Sequence, residues 1–314
     1  MRVTQLHTKL LLIESVAVVV VVVLLLHHNI HHYPSLPHYS TIYYSTQLNS
    51  IMDCSNIVIG FLGCGKISNA VARGYIGAPG LQRPKKIIVS PRNAEKASAL
   101  KAEFPDMVEI AGSNEAVVEG STVVFIGLVP EVAREVLPNM PFTAEHHLIS
   151  MMAAVNYDEV VSLTRVDPSR LIKTVPLPGA ARRSGPILSF PPNAYSEAVL
   201  NIVGTAVPCT EEKDMKPLIS ITGHISPFFE LMNVTQQWVV EQGLSPESAR
   251  LYVSAFYSGL ASSAAMSTDS FAEMVEEAAT PGGLNEQTTA FLRSTEHYNL
   301  HRQSLDAVLN RLKG

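Results

Sequence analysis

Cysteine is scarce in this chain. The three present, Cys54, Cys64 and Cys209, are odd in number, far apart and without a C-x-x-C pair. That excludes a disulfide framework and a structural zinc site, and it points to a reducing compartment. Charge is thin as well: 23 Lys and Arg face 28 Asp and Glu, a net charge of -5. No basic stripe emerges, which argues against a nucleic-acid partner. Long apolar runs are nearly absent too. The one exception, Val16 to Leu26, has eleven residues, short of the about 20 that a membrane span needs.

That run sets residues 1–51 apart from the rest. Arg2 and Lys9 precede it, H-H-N-I-H-H-Y-P follows it, and no small-x-small cleavage site appears. His27, His28, His31 and His32 have i, i+4 spacing, but no carboxylate or cysteine lies near them, so they are not read as a metal site. Residues 1–51 are read as outside the fold, with Met52 as the start of an otherwise over-long gene model and the protein as cytoplasmic. The competing reading is a signal, membrane anchor or organelle-targeting segment in 1–51.

What the chain does have is glycine at informative spacing. Ile57 to Ala70 reads I-V-I-G-F-L-G-C-G-K-I-S-N-A. A β-branched run meets Gly60, Gly63 and Gly65, and a helical pattern of Ile67, Ala70, Val71 and Gly74 follows. In a strand–turn–helix unit, Gly63 allows the tight turn and Gly65 lets a pyrophosphate approach the backbone, over the N–H groups of the helix. The third fingerprint position is Ser68 rather than glycine. Cys64 is read as a small residue in a tight place, not a nucleophile.

Ile87 to Val89 is the second expected strand. Where a site for an unphosphorylated ribose wants an acid, it ends in Ser90-Pro91-Arg92. A hydroxyl followed by a guanidinium suits a 2′-phosphate, so the reading is NADP before NAD. Helices are expected at 94–103 and 114–119 and strands at 108–110, 122–128, 147–151 and 171–175. Two further edge strands are expected at 187–190 and 200–207. Alternating strands and helices imply a doubly wound parallel sheet, whose ligands lie at the carboxyl ends of the strands. The candidate cofactor-binding residues are therefore Gly60, Gly63, Cys64, Gly65, Lys66 and Ile67 at the turn, with Ser90 and Arg92 beyond. Leu128, Val129, Pro130, Ala153 and Ala154 complete the set.

From Glu211 onward the pattern is helical only, at about 228–241, 246–266, 270–278, 284–297 and 301–312. The division expected is 52–208 for the nucleotide domain and 209–314 for a helical domain. The helix from Pro246 carries many small residues, suited to close helix packing within one chain or between two. Thr280-Pro281-Gly282-Gly283 precedes the fourth helix, and freed N–H groups there would suit a carboxylate.

Taken together, these stretches resemble the pyrroline-5-carboxylate reductase family from about Ile57 to the C-terminus. The segments that carry it are V-I-G-F-L-G-C-G-K-I, S-P-R at 90–92, L-V-P at 128–130, L-I-S-M-M-A-A at 148–154, G-L-S-P-E-S-A-R at 243–250 and T-P-G-G at 280–283. The resemblance implies an α/β Rossmann-type doubly wound parallel sheet that binds NADPH, followed by an all-helical domain that forms an intertwined homodimer. It implies hydride transfer to a cyclic imine carboxylate, giving proline, with orientation in place of acid–base residues. The implied substrate pocket is Ser226, Thr280, Gly282, Gly283, Leu284 and Asn285, and no metal is implied; His224 nearby is read as a loop histidine without chemistry, with a proton donor as the alternative.

This chain departs from the family pattern at the pocket. Val129 replaces a lysine, and Lys173-Thr174-Val175-Pro176-Leu177 replaces Arg-x-Met-Pro-Asn. Thr222 to Pro227 replaces a Ser-Gly-Ser-Gly-Pro-Ala loop, Leu284-Asn285 replaces Thr-Thr, and Ala154 replaces a glycine. A relative acting on another imine or carbonyl acid, or a non-catalytic dinucleotide-binding paralogue, is the alternative. The β-hydroxyacid dehydrogenases share the layout but use a lysine early in the helical domain, and 223–233 has none.

Overall fold

The computed structural model describes Met52–Lys313. The apolar run at 16–26, the four histidines behind it and the anchor reading lie outside the described residues. Fourteen elements build the sheet layer: β1 (Val58–Leu62), α1 (Lys66–Ile76), β2 (Lys86–Val89), α2 (Ala94–Glu103), β3 (Val108–Ile110), α3 (Asn114–Glu119), β4 (Val123–Ile126), α4 (Pro130–Val136), β5 (His147–Ser150), α5 (Tyr157–Thr164), β6 (Leu171–Val175), β7 (Pro186–Phe190), α6 (Ala194–Leu200) and β8 (Thr205–Pro208). The strand order is β3-β2-β1-β4-β5-β6-β7-β8, and every pairing is parallel except β6 with β7.

The strands are apolar on both faces because helices cover both, as a parallel sheet requires. Ile59, Phe61, Phe125 and Ile149 pack on one side with α1, while Leu62, Val124, Ile126 and Leu148 pack on the other. Phe61 stacks on Phe125 at 5.1 Å between ring centroids. Tyr75 of α1 is fully buried, and its hydroxyl satisfies itself by donating to the Val199 carbonyl at 2.9 Å.

Helices alone follow the last strand: α7 (Met215–Ser220), α8 (Ile225–Glu241), α9 (Pro246–Met266), α10 (Phe271–Ala278), α11 (Leu284–Ser294) and α12 (His297–Lys313). Local chemistry fixes their starts. Ser245 caps α9 by accepting from the Ser248 N–H at 3.1 Å, with Pro246 at the first position. Ser270 and Glu273 form a reciprocal capping box at α10. Helices α8 and α9 pair through Phe228 and Tyr257, 5.8 Å apart edge to face. The small residues of α9 stay largely exposed within the chain. Among the described residues, no helix is long and apolar enough to cross a membrane.

Several expected elements shift. β1 continues through Gly60 to Leu62. The residues expected as one strand at 200–207 divide, because Leu200 ends α6, whose start is capped by Asn193, and β8 begins at Thr205. β7 is interior, with β8 beyond it. The short helices α5, α6 and α7 carry too few turns to show periodicity in sequence.

Candidate active site

The carboxyl ends of β1, β2, β4, β5 and β6 align along one edge of the sheet. Phe61 pairs with Val89 and with Phe125, Ile126 with Ser150, and Ser150 with Lys173. Leu62 leads into Gly63 at φ +94°, a left-handed backbone that glycine adopts freely. A Cβ there would fall 2.4 Å from the Gly127 carbonyl oxygen, so the turn and the end of β4 approach as closely as backbone allows. Gly65 is different. Nothing lies within 4 Å of where its Cβ would stand, leaving the start of α1 open. Gly65 is the N-cap of α1, no side chain caps the helix, and its first turn has no acid. Free N–H groups and the positive end of the helix therefore face open space, where an anion fits.

Not every glycine-turn candidate faces that space. Gly60 is interior to β1, where a Cβ would meet Ser121 Oγ at 2.3 Å; its role is packing against α3, not cofactor contact. Cys64 is buried, and burial pushes its thiol above the ordinary value, which makes it a poor nucleophile. The Asn69 side chain and, less, the charge of Lys96 in the first turn of α2 partly offset that rise. Nothing in the Ala-, Glu- and Lys-rich surroundings of Lys96 marked it beforehand. Lys66 is exposed and Ile67 half-buried.

Ser90 takes a different part from the one its motif suggests. It is 1% exposed, and its hydroxyl accepts the Gly63 N–H at 2.9 Å. It braces the glycine turn from inside, rather than presenting a hydroxyl to a phosphate. Arg92 is exposed at the end of β2. Among the described residues it has no ion-pair partner.

Beyond β4, the Gly127 N–H donates to the Leu62 carbonyl at 2.8 Å. Leu128 is half-buried, Val129 is 59% exposed, and Pro130 opens α4. Beyond β5, Ala153 and Ala154 form an exposed turn. Buried Lys173 on β6 holds that turn: its ammonium donates to the carbonyls of Val155 at 2.8 Å and Ala153 at 3.4 Å and to Glu212 Oε1 at 2.6 Å. Glu212 also accepts the Tyr157 N–H at 3.1 Å. The pair thus ties β6, the β5–α5 turn and the first residues after the sheet together.

Two cavities open here. One, of about 380 Å³, lies between Ala153–Ala154, Lys173 and α7. The other, of about 310 Å³, is an apolar groove running from Val175 and Leu177 to Ile221 and Ile225. Ile219 lines both.

The remaining candidates lie in the helical region. His224 precedes α8 and faces α12, with Ser304 Oγ 3.0 Å from its Nε2 and the His301 ring 4.2 Å away. Burial and the neighbouring His224 and His297 hold His301 below the ordinary imidazole value. His224 thus packs the start of α8 against α12. Ser226 is exposed in the first turn of α8. In the loop before α11, Gly282 has φ +74° and its N–H donates to Glu286 Oε2 at 2.6 Å. The Gly283 N–H donates to the Thr280 carbonyl at 2.8 Å, and Asn285 Nδ2 to the Ala278 carbonyl at 3.1 Å. Leu284 is 82% exposed. The expected carboxylate donors at 282 and 283 thus already have partners, Glu286 in the first turn of α11 and Thr280 in the loop.

Residues 58–154 match a family model described as NADP oxidoreductase coenzyme F420-dependent, and residues 212–314 match one described as pyrroline-5-carboxylate reductase dimerisation. A pyrroline-5-carboxylate reductase 3 of Danio rerio is 32% identical over 113 residues, 35% of this chain and 38% of that protein. The pyrroline-5-carboxylate reductase of Methanosarcina acetivorans is 24% identical over 267 residues, 81% of this chain and 95% of that protein. Over both halves the chain is similar to the pyrroline-5-carboxylate reductases. It falls in a dinucleotide-binding oxidoreductase family, with a Rossmann-type sheet ahead of helices like those of the family's dimerisation domain. The Danio rerio match and one to an Arabidopsis thaliana relative span only 38% and 60% of those proteins. The fold is shared with the enzyme of Coxiella burnetii at a TM-score of 0.67 and 19% identity, covering 82% of this chain and 98% of that one. It is also shared with the Plasmodium falciparum enzyme solved with NADP bound, at 0.64 and 19%, covering 82% and 97%.

Proposed function

We propose that this chain is a pyrroline-5-carboxylate reductase-like, NADPH-dependent reductase that transfers hydride to the C=N bond of an imine acid. The observation that carries the reading is the open helix start at Gly65, with Arg92 exposed at the neighbouring strand end. That geometry fits a pyrophosphate on the α1 N–H groups and a 2′-phosphate near Arg92 and Lys96. When bound there, the dinucleotide supplies the hydride. The chain's own contribution is placement: Ser90 and Gly127 fix the glycine turn, and Leu128 to Pro130 and Ala153–Ala154 wall the edge where a nicotinamide would lie. No side chain at this edge has the geometry of a general acid, so the imine nitrogen would take its proton from water.

The helical region supports assembly as a homodimer. Phe229, Trp238, Leu251, Phe271 and Phe291 are each at least 60% exposed on α8 to α11. Apolar surface on this scale marks an interface, and a second copy would cover it.

The test is NADPH oxidation by the full chain with pyrroline-5-carboxylate and related imine acids, alongside NADPH binding measured by its fluorescence. Saturable turnover supports the proposal; absence of NADPH binding overturns it.

A further inference from the structure

Beside the carboxyl ends of β5 and β6 and an apolar groove, α7 carries a positive charge with no ion-pair partner among the described residues. Three lysines line the cavity above Ala153–Ala154: Lys173, Lys213 and Lys216. Lys173 is satisfied by Glu212 at 2.6 Å and Lys213 by Glu211 at 2.6 Å. Glu212 is itself shared between Lys173 and the Tyr157 N–H, so it has nothing to spare for Lys216. Lys216, exposed on α7, has no ion-pair partner among the described residues. The cavity thus carries one uncompensated cation, which matches one carboxylate.

The adjoining groove of about 310 Å³ is lined by apolar side chains, Thr222 being its sole polar residue, and it meets the lysine cavity at Ile219. Leu177, at the end of β6, forms one wall. Such a groove gains from an apolar body and offers nothing to a small polar ring.

The loop at 280–283, by contrast, already holds a carboxylate. Glu286 Oε2 sits on the Gly282 N–H, and the Gly283 N–H is taken by Thr280. A second carboxylate there would meet Glu286 as a like charge.

We propose that the substrate's carboxylate is anchored by Lys216 at the β5–β6 edge, and that its apolar body fills the groove beside Leu177. The preferred substrate is then an imine acid with an apolar side chain bulkier than a five-membered ring. The imine carbon takes hydride from NADPH, the C=N π bond breaks, the nitrogen takes a proton from water, and the products are a secondary amino acid and NADP+. This inference rests on the reductase reading above.

The experiment uses the full chain with NADPH, methylamine and straight-chain 2-oxo acids of increasing length, whose imines form in solution. Pyrroline-5-carboxylate and 1-pyrroline, which lacks the carboxylate, serve as small references. The expected KM falls about fourfold per added methylene until the groove is full. Lys216→Ala raises KM for the acids about tenfold, leaves 1-pyrroline unaffected and leaves NADPH binding unchanged. Leu177→Asn removes the dependence on chain length.

Turnover of pyrroline-5-carboxylate with no dependence on length or on Lys216 overturns the inference and leaves the reductase reading standing. Loss of the dimer in Leu177→Asn, with KM unchanged, overturns it in favour of the groove as a contact between copies. Absence of NADPH binding, or binding without reduction of any imine, overturns the reductase reading and this inference with it.

Discussion

Lys173→Met removes the charge that joins β6, the β5–α5 turn and Glu212. Methionine keeps the length and apolar stem of the lysine, so the volume on β6 is nearly conserved. Three hydrogen bonds go with the ammonium: those to Val155, Ala153 and Glu212. Glu212 is left without its cation, although it retains the Tyr157 N–H. Breaking a fully buried pair costs about 3–5 kcal/mol. The Glu212 side chain is 29% exposed and Lys173 8%, so partial hydration moderates the loss to about 2–3 kcal/mol. Urea unfolding followed by circular dichroism measures it. Glu212→Gln in the same background removes the orphaned charge, and the double variant recovers at least about 1 kcal/mol relative to additivity. A single variant within about 0.5 kcal/mol of the parent, or strictly additive losses, would refute the reasoning that the pair, and not its surroundings, fixes the β5–α5 turn.

Other expectations follow from the same geometry. Gly63→Ala forces a Cβ to within 2.4 Å of the Gly127 carbonyl at φ +94°, costing about 1–2 kcal/mol for the backbone alone; NADPH affinity measured by fluorescence drops at least about tenfold as the turn shifts. Arg92→Ala weakens NADPH about tenfold or more and NADH little, since the guanidinium serves the 2′-phosphate; equal losses in calorimetric titrations would exclude that role. His301 is held below the ordinary value by burial and by His224 and His297. The unfolded chain therefore takes up that proton first as pH falls through about 6.5, and stability drops on the acid side. Urea midpoints between about pH 7.5 and about pH 5.5 should fall less in His301→Gln than in the parent.

The sheet was legible because each of its signals is local. Glycines at fixed offsets and Pro130 at a helix start specify their own backbone, so α1, β3 and α4 fall close to their expected places, while β1 runs on through Gly60 to Leu62. The same holds for α9, where Ser245 and Pro246 cap and open the helix. What stayed hidden depends on contacts across the chain. Ser90 stands in a phosphate-binding position by motif, yet spends its hydroxyl on Gly63, 27 residues earlier. Lys173 and Glu212 are 39 residues apart, and neither is notable alone.

The loop at Thr280 to Gly283 shows why a motif that survives in sequence need not keep its chemistry. The glycines still bend the chain, with Gly282 at φ +74°. Whether the N–H groups they expose are free depends on a side chain outside the motif. Glu286, one helical turn on, supplies a carboxylate to the Gly282 N–H, and the helix start favours that charge. The two glycines therefore report a backbone shape, whereas the partner of the Gly282 N–H is decided by Glu286, four positions later and outside the motif.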